Sequence, residues 1–147
     1  MSPRSRDLPR RSCLSIPGSS DKMVGKGPGI PADMIFLDLE DAVAPKEKEA
    51  ARGKIAHALR TLDWGDKVMC VRVNDWSTKW TAYDIIEVVG NAGPRLDEIM
   101  LPKVESAAQI VATDMLLRQV EIAAGLPIGH IGIEAQIETA RGLINVE

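Results

Sequence analysis

Three acidic residues stand within four positions after the apolar run 34–37: Asp38, Glu40 and Asp41. Side chains alternate along a strand, so Asp38 and Glu40 are expected to project to one side. Two carboxylates ~4 Å apart repel each other by about 4 kcal/mol at an effective dielectric of ~20. The cluster therefore needs Arg, Lys or a metal ion, shared protons or open water. The alternative is that Asp41 caps the next helix and the other two are solvated.

Cationic residues stand near the ends of two other predicted strands, Arg72 in the run 67–74 and Lys103 in the run 98–104. An arginine is too costly to bury unpaired, so Arg72 must meet an anion. That anion is either the acidic cluster or a ligand. Asn74 is expected on the same side of the strand as Arg72.

The segment 130–138 alternates apolar and polar residues, with Glu134 and Glu138 on its polar side. Such a strand either lies at a sheet edge with one wet face or lines a barrel. In a barrel the polar side faces the lumen and Glu138 reaches the open rim. Glu134 then lies deeper, as a structural partner inside the lumen.

The elements that carry these residues alternate between strands and helices. Strands are predicted at 11–17, 34–37, 67–74, 98–104 and 130–138, with helices at about 46–62, 81–89 and 105–124. The predicted buried face of the first helix consists of Ala50, Ile55, Ala58, Leu59 and Leu62, and that of the third consists of Ile110, Val111, Met115, Leu116, Val120 and Ala123. Short connections without hairpin signals indicate right-handed parallel β/α units. The fold class is therefore α/β. A complete TIM (β/α)8 barrel takes about 250 residues, so the sequence predicts its amino-terminal part, about five β/α units, or a small open sheet.

The composition is that of an ordinary soluble domain, with 147 residues, 45% hydrophobic residues and a net charge of -3. This charge gives no reason to expect a nucleic acid or an anionic membrane as partner. Cys13 and Cys70 are predicted to be reduced core residues of a cytoplasmic protein. Residues 1–10 are predicted to form a basic flexible tail, and 11–147 a single domain that stops after its fifth strand.

The turn after the first strand offers an anion site. Gly18 permits an unusual backbone angle, and Ser19 or Ser20 can cap a short helix. The N–H groups left there suit a phosphate or a carboxylate. Helix capping alone explains these residues equally well.

Five motifs, in order along the chain, resemble the citrate lyase β-subunit-like family, which includes malyl-CoA and citramalyl-CoA lyases of the HpcH/HpaI aldolase superfamily. They are RSCLSIPGS at 11–19, IFLDLEDAVAP at 35–45, VRVN at 71–74, LPKVES at 101–106 and IETARGL at 137–143. The resemblance implies a TIM barrel that binds a divalent ion through Glu138 and an Asp on the next strand. That ion is usually magnesium, with manganese as an alternative. Arg72 is then the catalytic residue that binds substrate and stabilises charge.

The resemblance also implies roles for residues around this centre. Asp38, Glu40 and Asp41 would support the metal or its water, Lys103 would border the same rim, and Pro17, Gly18 and Ser19, with Arg11 and Lys22, would lie toward the coenzyme A phosphates. The implied reaction cleaves a short 3-hydroxyacyl-CoA, such as malyl-CoA, to acetyl-CoA and an α-keto acid such as glyoxylate. The implied assembly is a homo-oligomer. An oxygen-rich site without His or Cys independently suits magnesium.

Three hypotheses stay open at this point, and the first is the lyase. The second metal-binding Asp of the family would lie beyond residue 147, so this polypeptide alone is expected to be inactive. A pyruvate-type aldolase that needs no coenzyme A is a second enzyme hypothesis. A non-catalytic subunit or interaction protein is the third, and thioester hydrolysis as an added step of the lyase is also left open.

Overall fold

The computed structural model describes residues 8–146, in which parallel strands and helices alternate. The strands are β1 (Cys13–Pro17), β2 (Met34–Asp38), β3 (Val68–Arg72), β4 (Glu98–Leu101) and β5 (Gly132–Ala135). The α-helices are α1 (Asp21–Lys26), α2 (Lys48–Thr61), α3 (Thr81–Ala92), α4 (Ala107–Ala123) and α5 (Ala140–Ile144), with 3₁₀ turns at Gly27–Gly29, Pro45–Glu47 and Gly93–Arg95. Within these described residues, the helices are all too short or too polar to cross a bilayer.

The five strands form one sheet in the order β1-β2-β3-β4-β5, and every neighbouring pair is parallel. In this register Pro17, Asp38 and Arg72 lie level with one another across β1, β2 and β3. The predicted α/β class and parallel β/α order are confirmed. Because all strands run the same way, the residues at their carboxyl ends gather at one rim of the sheet.

Alternate residues of the strands build two layers on opposite faces of the sheet. The larger core lies between the sheet and the helices and contains, among others, Ile35, Leu37, Met69, Val71, Ile99, Ile55, Leu59, Ile85 and Val89. The opposite face carries a smaller cluster of Met34, Val68, Cys70 and Met100, with Phe36 and Leu8 against it. Asp38 and Arg72, which end β2 and β3, continue this alternation and lie on the same face as the smaller cluster, which we call the concave face.

Residues 8–10, the first described residues, contact the rest of the domain. Leu8 packs against the smaller cluster, and Arg10 forms an ion pair with Glu98 at 3.1 Å. The predicted flexible tail otherwise falls on residues 1–7, which lie outside the described residues.

Two helix faces differ from those predicted. On α2 the buried residue is Ala51, whereas Ala50 is exposed. On α4 the buried set is Thr113, Leu117, Val120 and Glu121 instead of the predicted stripe of Ile110, Val111, Met115, Leu116, Val120 and Ala123, of which Val111, Met115 and Ala123 are exposed. Apolar residues surround α4, so periodicity alone does not select its inner face, and the hydrogen bond from Trp76 to Thr113 at 2.9 Å turns a polar residue inward.

Three other residues depart from the sequence predictions. Cys70 is buried as expected, but Cys13 is exposed because it starts the edge strand β1. Asp41 is exposed and caps no helix, since the next turn has Ala44 at its N-cap. Asn74 does not share a side with Arg72, because β3 ends at Arg72 and the chain then turns Asn74 toward α2 and α3.

Candidate active site at the carboxyl rim

Asp38 and Arg72 form the centre of the site, at the level ends of β2 and β3. Arg72 donates from Nε and from one terminal nitrogen to the two carboxylate oxygens of Asp38, at 2.8 and 2.7 Å. The backbone N–H groups of Glu40 and Ala42 also donate hydrogen bonds to the Asp38 carboxylate, at 2.9 and 3.0 Å. Burial by itself raises the pKa of Asp38, but these four donors outweigh it and the pKa is lowered. Asp38 is therefore ionised at neutral pH, and its carboxylate holds the guanidinium of Arg72 in place.

Arg72 also has one terminal nitrogen that is not bonded to Asp38. Its remaining terminal nitrogen lies 3.3 Å from Oε2 of Glu40, and the ring of Phe36 lies 5.3 Å from the guanidinium carbon. The hydrogen bonds to Asp38 raise the pKa of Arg72. The side chain is 14% exposed, so a permanent positive charge stands partly open to the concave face.

Glu40 is a buried carboxylate held between two cations. Its Oε1 accepts a hydrogen bond of 2.5 Å from the ammonium of Lys103, while its Oε2 faces Arg72 and has no hydrogen-bond partner. The bond to Glu40 raises the pKa of Lys103. The acidic cluster thus finds its cations in Arg72 and Lys103, as the two predicted strand ends allow.

Lys103 also contacts Glu138, the predicted metal ligand. Its backbone N–H donates to Oε1 of Glu138 at 2.9 Å, and its φ of 52° lies in the left-handed region that non-glycine residues rarely adopt. One residue therefore contacts Glu40 through its side chain and Glu138 through its backbone. We call Asp38, Glu40, Arg72, Lys103 and Glu138 the rim cluster.

The turn after β1 borders the rim cluster, but Arg11 does not. The N–H of Gly18 donates to the carbonyl of Asp38 at 2.9 Å, and Lys54 donates to the carbonyl of Ser19 at 3.0 Å. Lys22 is exposed on α1, just after this turn. Arg11 instead precedes β1 and pairs with Asp33 at 2.9 Å. The five residues of β1, roughly 17 Å at ~3.3 Å each, separate Arg11 from the turn, so its predicted place beside Pro17 to Ser19 is wrong.

Gly18 is needed for space, not for a special backbone angle. A Cβ at this position would meet the side chain of Ile55 and would lie 2.8 Å from the carbonyl oxygen of Asp38. Gly18 is also not among the glycines with positive φ. Ser20 provides the predicted cap, and its hydroxyl accepts from the N–H of Met23.

Sequence reasoning missed a buried polar network directly behind the rim. Lys48, Arg52, Asn74 and Asp84 are all at most 6% exposed. Lys48 donates to Asn74 at 2.7 Å, Asn74 donates to Asp84 at 2.7 Å, and Arg52 donates to Asp84 at 2.8 Å. One signal was available: Lys48 and Arg52 fall at helical spacing on the same stripe of α2 as Ala51 and the other buried residues.

A second carboxylate pair lies deeper on the concave face. Glu98 is buried and has one unpartnered oxygen, and Glu134 on the neighbouring strand is half-buried. Burial first, and then the charge of Glu98, raise the pKa of Glu134. Burial and the same two acids raise the pKa of Cys13 to about 11. Glu98 is the first residue of β4 and lies at the amino end of that strand, whereas Glu134 is level in the register with Met100 and, through it, with Arg72.

The rim offers the right atoms for a hard cation, though few of them. In the described part of the chain, no three His, Cys, Asp or Glu side chains are close enough to hold a metal. Among the rim carboxylates described, Glu138 is the one without a cationic side chain within 4 Å, and it is exposed. Magnesium typically binds through one or two carboxylates, waters and ligand oxygens. Glu138 fits that pattern as one such ligand.

Comparison with known proteins identifies the family of this chain. Residues 11–147 match the family described as HpcH/HpaI aldolase/citrate lyase. A relative from Cereibacter sphaeroides (strain ATCC 17025 / ATH 2.4.3), named L-malyl-CoA/beta-methylmalyl-CoA lyase, is 42% identical over 139 residues. The match covers 95% of this chain and 43% of the relative. The chain thus spans less than half the length of that relative.

Two solved structures share the fold. Protein CitE from Mycobacterium tuberculosis, in complex with magnesium and acetate, is 30% identical with a TM-score of 0.68, over 91% of this chain and 47% of that one. The Haloferax volcanii malate synthase magnesium/glyoxylate complex has a TM-score of 0.81 at 16% identity, over 90% and 43% of the two chains. The second likeness concerns the fold alone. Together they confirm that this chain is part of a TIM barrel.

Proposed function

The chain belongs to the HpcH/HpaI aldolase/citrate lyase family, and we propose from this that the full-length protein is a metal-dependent carbon-carbon lyase. Its proposed substrate is a short 3-hydroxyacyl-CoA such as malyl-CoA, and its products are acetyl-CoA and an α-keto acid such as glyoxylate. The observation that carries the proposal is the rim cluster, where two cations and an exposed carboxylate from different β/α units converge.

The proposed reaction breaks the bond between the α and β carbons of the thioester. The β-hydroxyl loses its proton, its oxygen becomes the keto-acid carbonyl, and the bonding pair moves into the thioester as an acetyl-CoA enolate. A proton added to the enolate carbon then gives acetyl-CoA. The hard step is the development of negative charge on the thioester oxygen.

Arg72 is the residue we assign to that charge. Asp38 holds its guanidinium with two short bonds, so no reorganisation is needed when the charge develops. A preorganised donor of this kind typically contributes a hundredfold or more to kcat, roughly 3 kcal/mol. The partial exposure of Arg72 on the concave face leaves room for a substrate oxygen.

Glu138 is the residue we assign to the metal, magnesium or alternatively manganese. A bound divalent ion would supply positive charge for the carboxylate and carbonyl oxygens of the keto acid. Lys103 orients Glu138 through its backbone N–H and is also a candidate contact for the substrate. Asp41 stands exposed beside Lys103, with the two charged atoms 3.9 Å apart.

The turn of Pro17, Gly18 and Ser19, together with Lys22, is our candidate for the coenzyme A phosphates. It lies level with Asp38, so a thioester placed against Arg72 can extend along it. A homo-oligomer remains a prediction for the full-length protein.

Heat denaturation tests coenzyme A binding directly. A ligand that binds only the folded state raises the melting temperature of the protein. At a ligand concentration of a hundred times its Kd, the folded state is stabilised by about 2.7 kcal/mol. We expect acetyl-CoA to protect the full-length protein and malyl-CoA to be cleaved when magnesium is added. Protection by pyruvate with none by acetyl-CoA would favour the aldolase that needs no coenzyme A. Protection by neither would favour the non-catalytic protein.

A further inference from the structure

Lys48 is the least expected residue near the rim, because its charge is buried among neutral oxygens. It is 6% exposed and starts α2. Its ammonium donates to the carbonyls of Leu39 and Glu40, at 2.7 and 2.6 Å, and to the side-chain oxygen of Asn74 at 2.7 Å. An ammonium has three donors, and all three are used here.

No carboxylate neutralises Lys48 by direct contact in the described residues. The ring of Trp80 lies 5.2 Å from its nitrogen, and Asp84 is reached only through Asn74. Burying a cation without a paired anion is costly. Burial is the main cause that lowers the pKa of Lys48, and the charge of Asp84, followed by those of the rim acids, only partly offsets it. An apolar side chain would remove this cost but would leave the three buried acceptors of Lys48 without their donor.

The three acceptors show what the lysine does for the site. Leu39 and Glu40 follow β2, whereas Asn74 follows β3. The two carbonyls belong to the peptide units on either side of Glu40, so they fix the backbone from which the Glu40 side chain projects. That side chain must reach both Arg72 and Lys103, at 3.3 and 2.5 Å.

We propose that Lys48 is a positioning residue for the lyase reaction: its ammonium locks the Leu39-Glu40 turn to Asn74 and so keeps the Glu40 carboxylate between Arg72 and Lys103. This inference rests on the proposed function for its effect on turnover. Its structural part, the locking of the turn, stands independently.

Hydrogen exchange on the full-length protein tests the locking. The amides of Leu39, Glu40, Ala42 and Val43 all donate hydrogen bonds in this turn. In Lys48→Met we expect exchange of the segment 39–43 to rise roughly tenfold or more, with segment 55–59 of α2 unchanged. Lys46→Met, an exposed lysine two residues earlier, is the matched control and should change neither segment. Unchanged exchange at 39–43 in folded Lys48→Met overturns the proposal, whether or not the protein is a lyase.

Turnover then tests the positioning. We expect Lys48→Met to lower kcat for malyl-CoA cleavage roughly tenfold or more, since small displacements of reacting groups are costly, with KM nearly unchanged. In the Glu40→Gln background the same substitution should have little further effect, because both act through one carboxylate. Additive losses, as expected of a purely structural lysine, would contradict the proposal.

A variant that fails to fold does not end the test. Lys48→Arg keeps the charge, but its planar guanidinium cannot donate in the same three directions. We expect it to fold with faster exchange at 39–43 and a lower kcat. A Lys48→Arg variant with wild-type exchange and wild-type kcat would overturn the proposal. If the wild-type protein cleaves no thioester, the proposed function fails, while the exchange result still decides whether Lys48 locks the turn.

Discussion

Arg72 and Asp38 stand opposite each other in the register of β2 and β3 and are joined by two nearly parallel hydrogen bonds of 2.8 and 2.7 Å. Asp38 is fully buried and Arg72 is 14% exposed. Asp38 therefore holds the guanidinium of Arg72 on its buried side and leaves the other side partly exposed. This relationship links the stability of the fold to the chemistry that we propose at its rim.

Removing Asp38 should be strongly destabilising. Asp38→Ala leaves a largely buried guanidinium and two backbone N–H groups without their acceptor, which we expect to cost about 3 kcal/mol of unfolding free energy. Urea denaturation measures it. Asp114→Ala, which breaks the exposed pair with Arg118 on one helix, is the control and should cost below about 0.5 kcal/mol. Equal losses in the two variants would show that the buried pair is not an anchor.

The stabilisation from Asp38 should also depend on pH in a defined direction. Its pKa in the folded protein is below its ordinary value of 3.8, so its contribution is complete above that value and is lost as the pH falls through the lower one. The difference between wild type and Asp38→Ala should therefore shrink on strong acidification. A constant difference down to the acid transition would contradict this.

Glu134 should show the opposite behaviour. Its pKa is raised above 4.5, with Glu98 and Arg10 as the charges that face it. The folded state thus loses stability as the pH rises from 4.5 through the raised pKa. We expect Glu134→Gln to melt at a higher temperature than wild type at pH 7 and to lose this advantage below pH ~4. A melting temperature at pH 7 equal to or below that of wild type would refute the assignment.

Gly18 should tolerate no side chain. Gly18→Ala places a Cβ against Ile55 and against the carbonyl of Asp38, so we expect a loss of about 1–3 kcal/mol. Gly53→Ala on α2 has open space around it and should instead stabilise by roughly 0.5–1 kcal/mol. Chemical denaturation of the two variants side by side measures both, and a neutral Gly18→Ala would contradict the close approach.

Cys13 should be a slow nucleophile despite its exposure. With a pKa of about 11, its thiolate fraction at pH 8 is roughly 200-fold below that of an ordinary cysteine. The greater intrinsic reactivity of a basic thiolate recovers about tenfold of this. We therefore expect alkylation by iodoacetamide at least tenfold slower than that of a free cysteine, and faster toward pH 11. A rate equal to that of free cysteine at pH 8 would show that partial burial and the neighbouring acids do not raise the pKa of this thiol.

Much of this architecture is readable in the sequence because it depends on local patterns. Apolar runs that end in polar residues located the strands and their common rim, and the acids after β2 correctly required a cation. Arg72 and Lys103 were identified because a cation at the end of a buried run must meet an anion at the rim.

The remaining features depend on contacts between distant segments. Lys48 is buried only because two loops present their oxygens to it, and no local pattern records those oxygens. The inner face of α4 was misjudged because apolar residues surround that helix. Arg11 is close in sequence to the turn at Pro17, but the extended strand β1 lies between them. The two therefore lie at opposite ends of that strand, and closeness in sequence is not closeness in space.

The most direct test of the account is magnesium-dependent release of acetyl-CoA from malyl-CoA by the full-length protein and its Arg72→Ala variant. We expect the wild-type protein to release acetyl-CoA with magnesium and to stop when a chelator is added. Folded Arg72→Ala should lose about a hundredfold or more in kcat, while Asp114→Ala keeps wild-type turnover. Wild-type turnover by Arg72→Ala, or release that persists in the chelator, would contradict the central claim that Arg72 and a divalent ion act together at this rim.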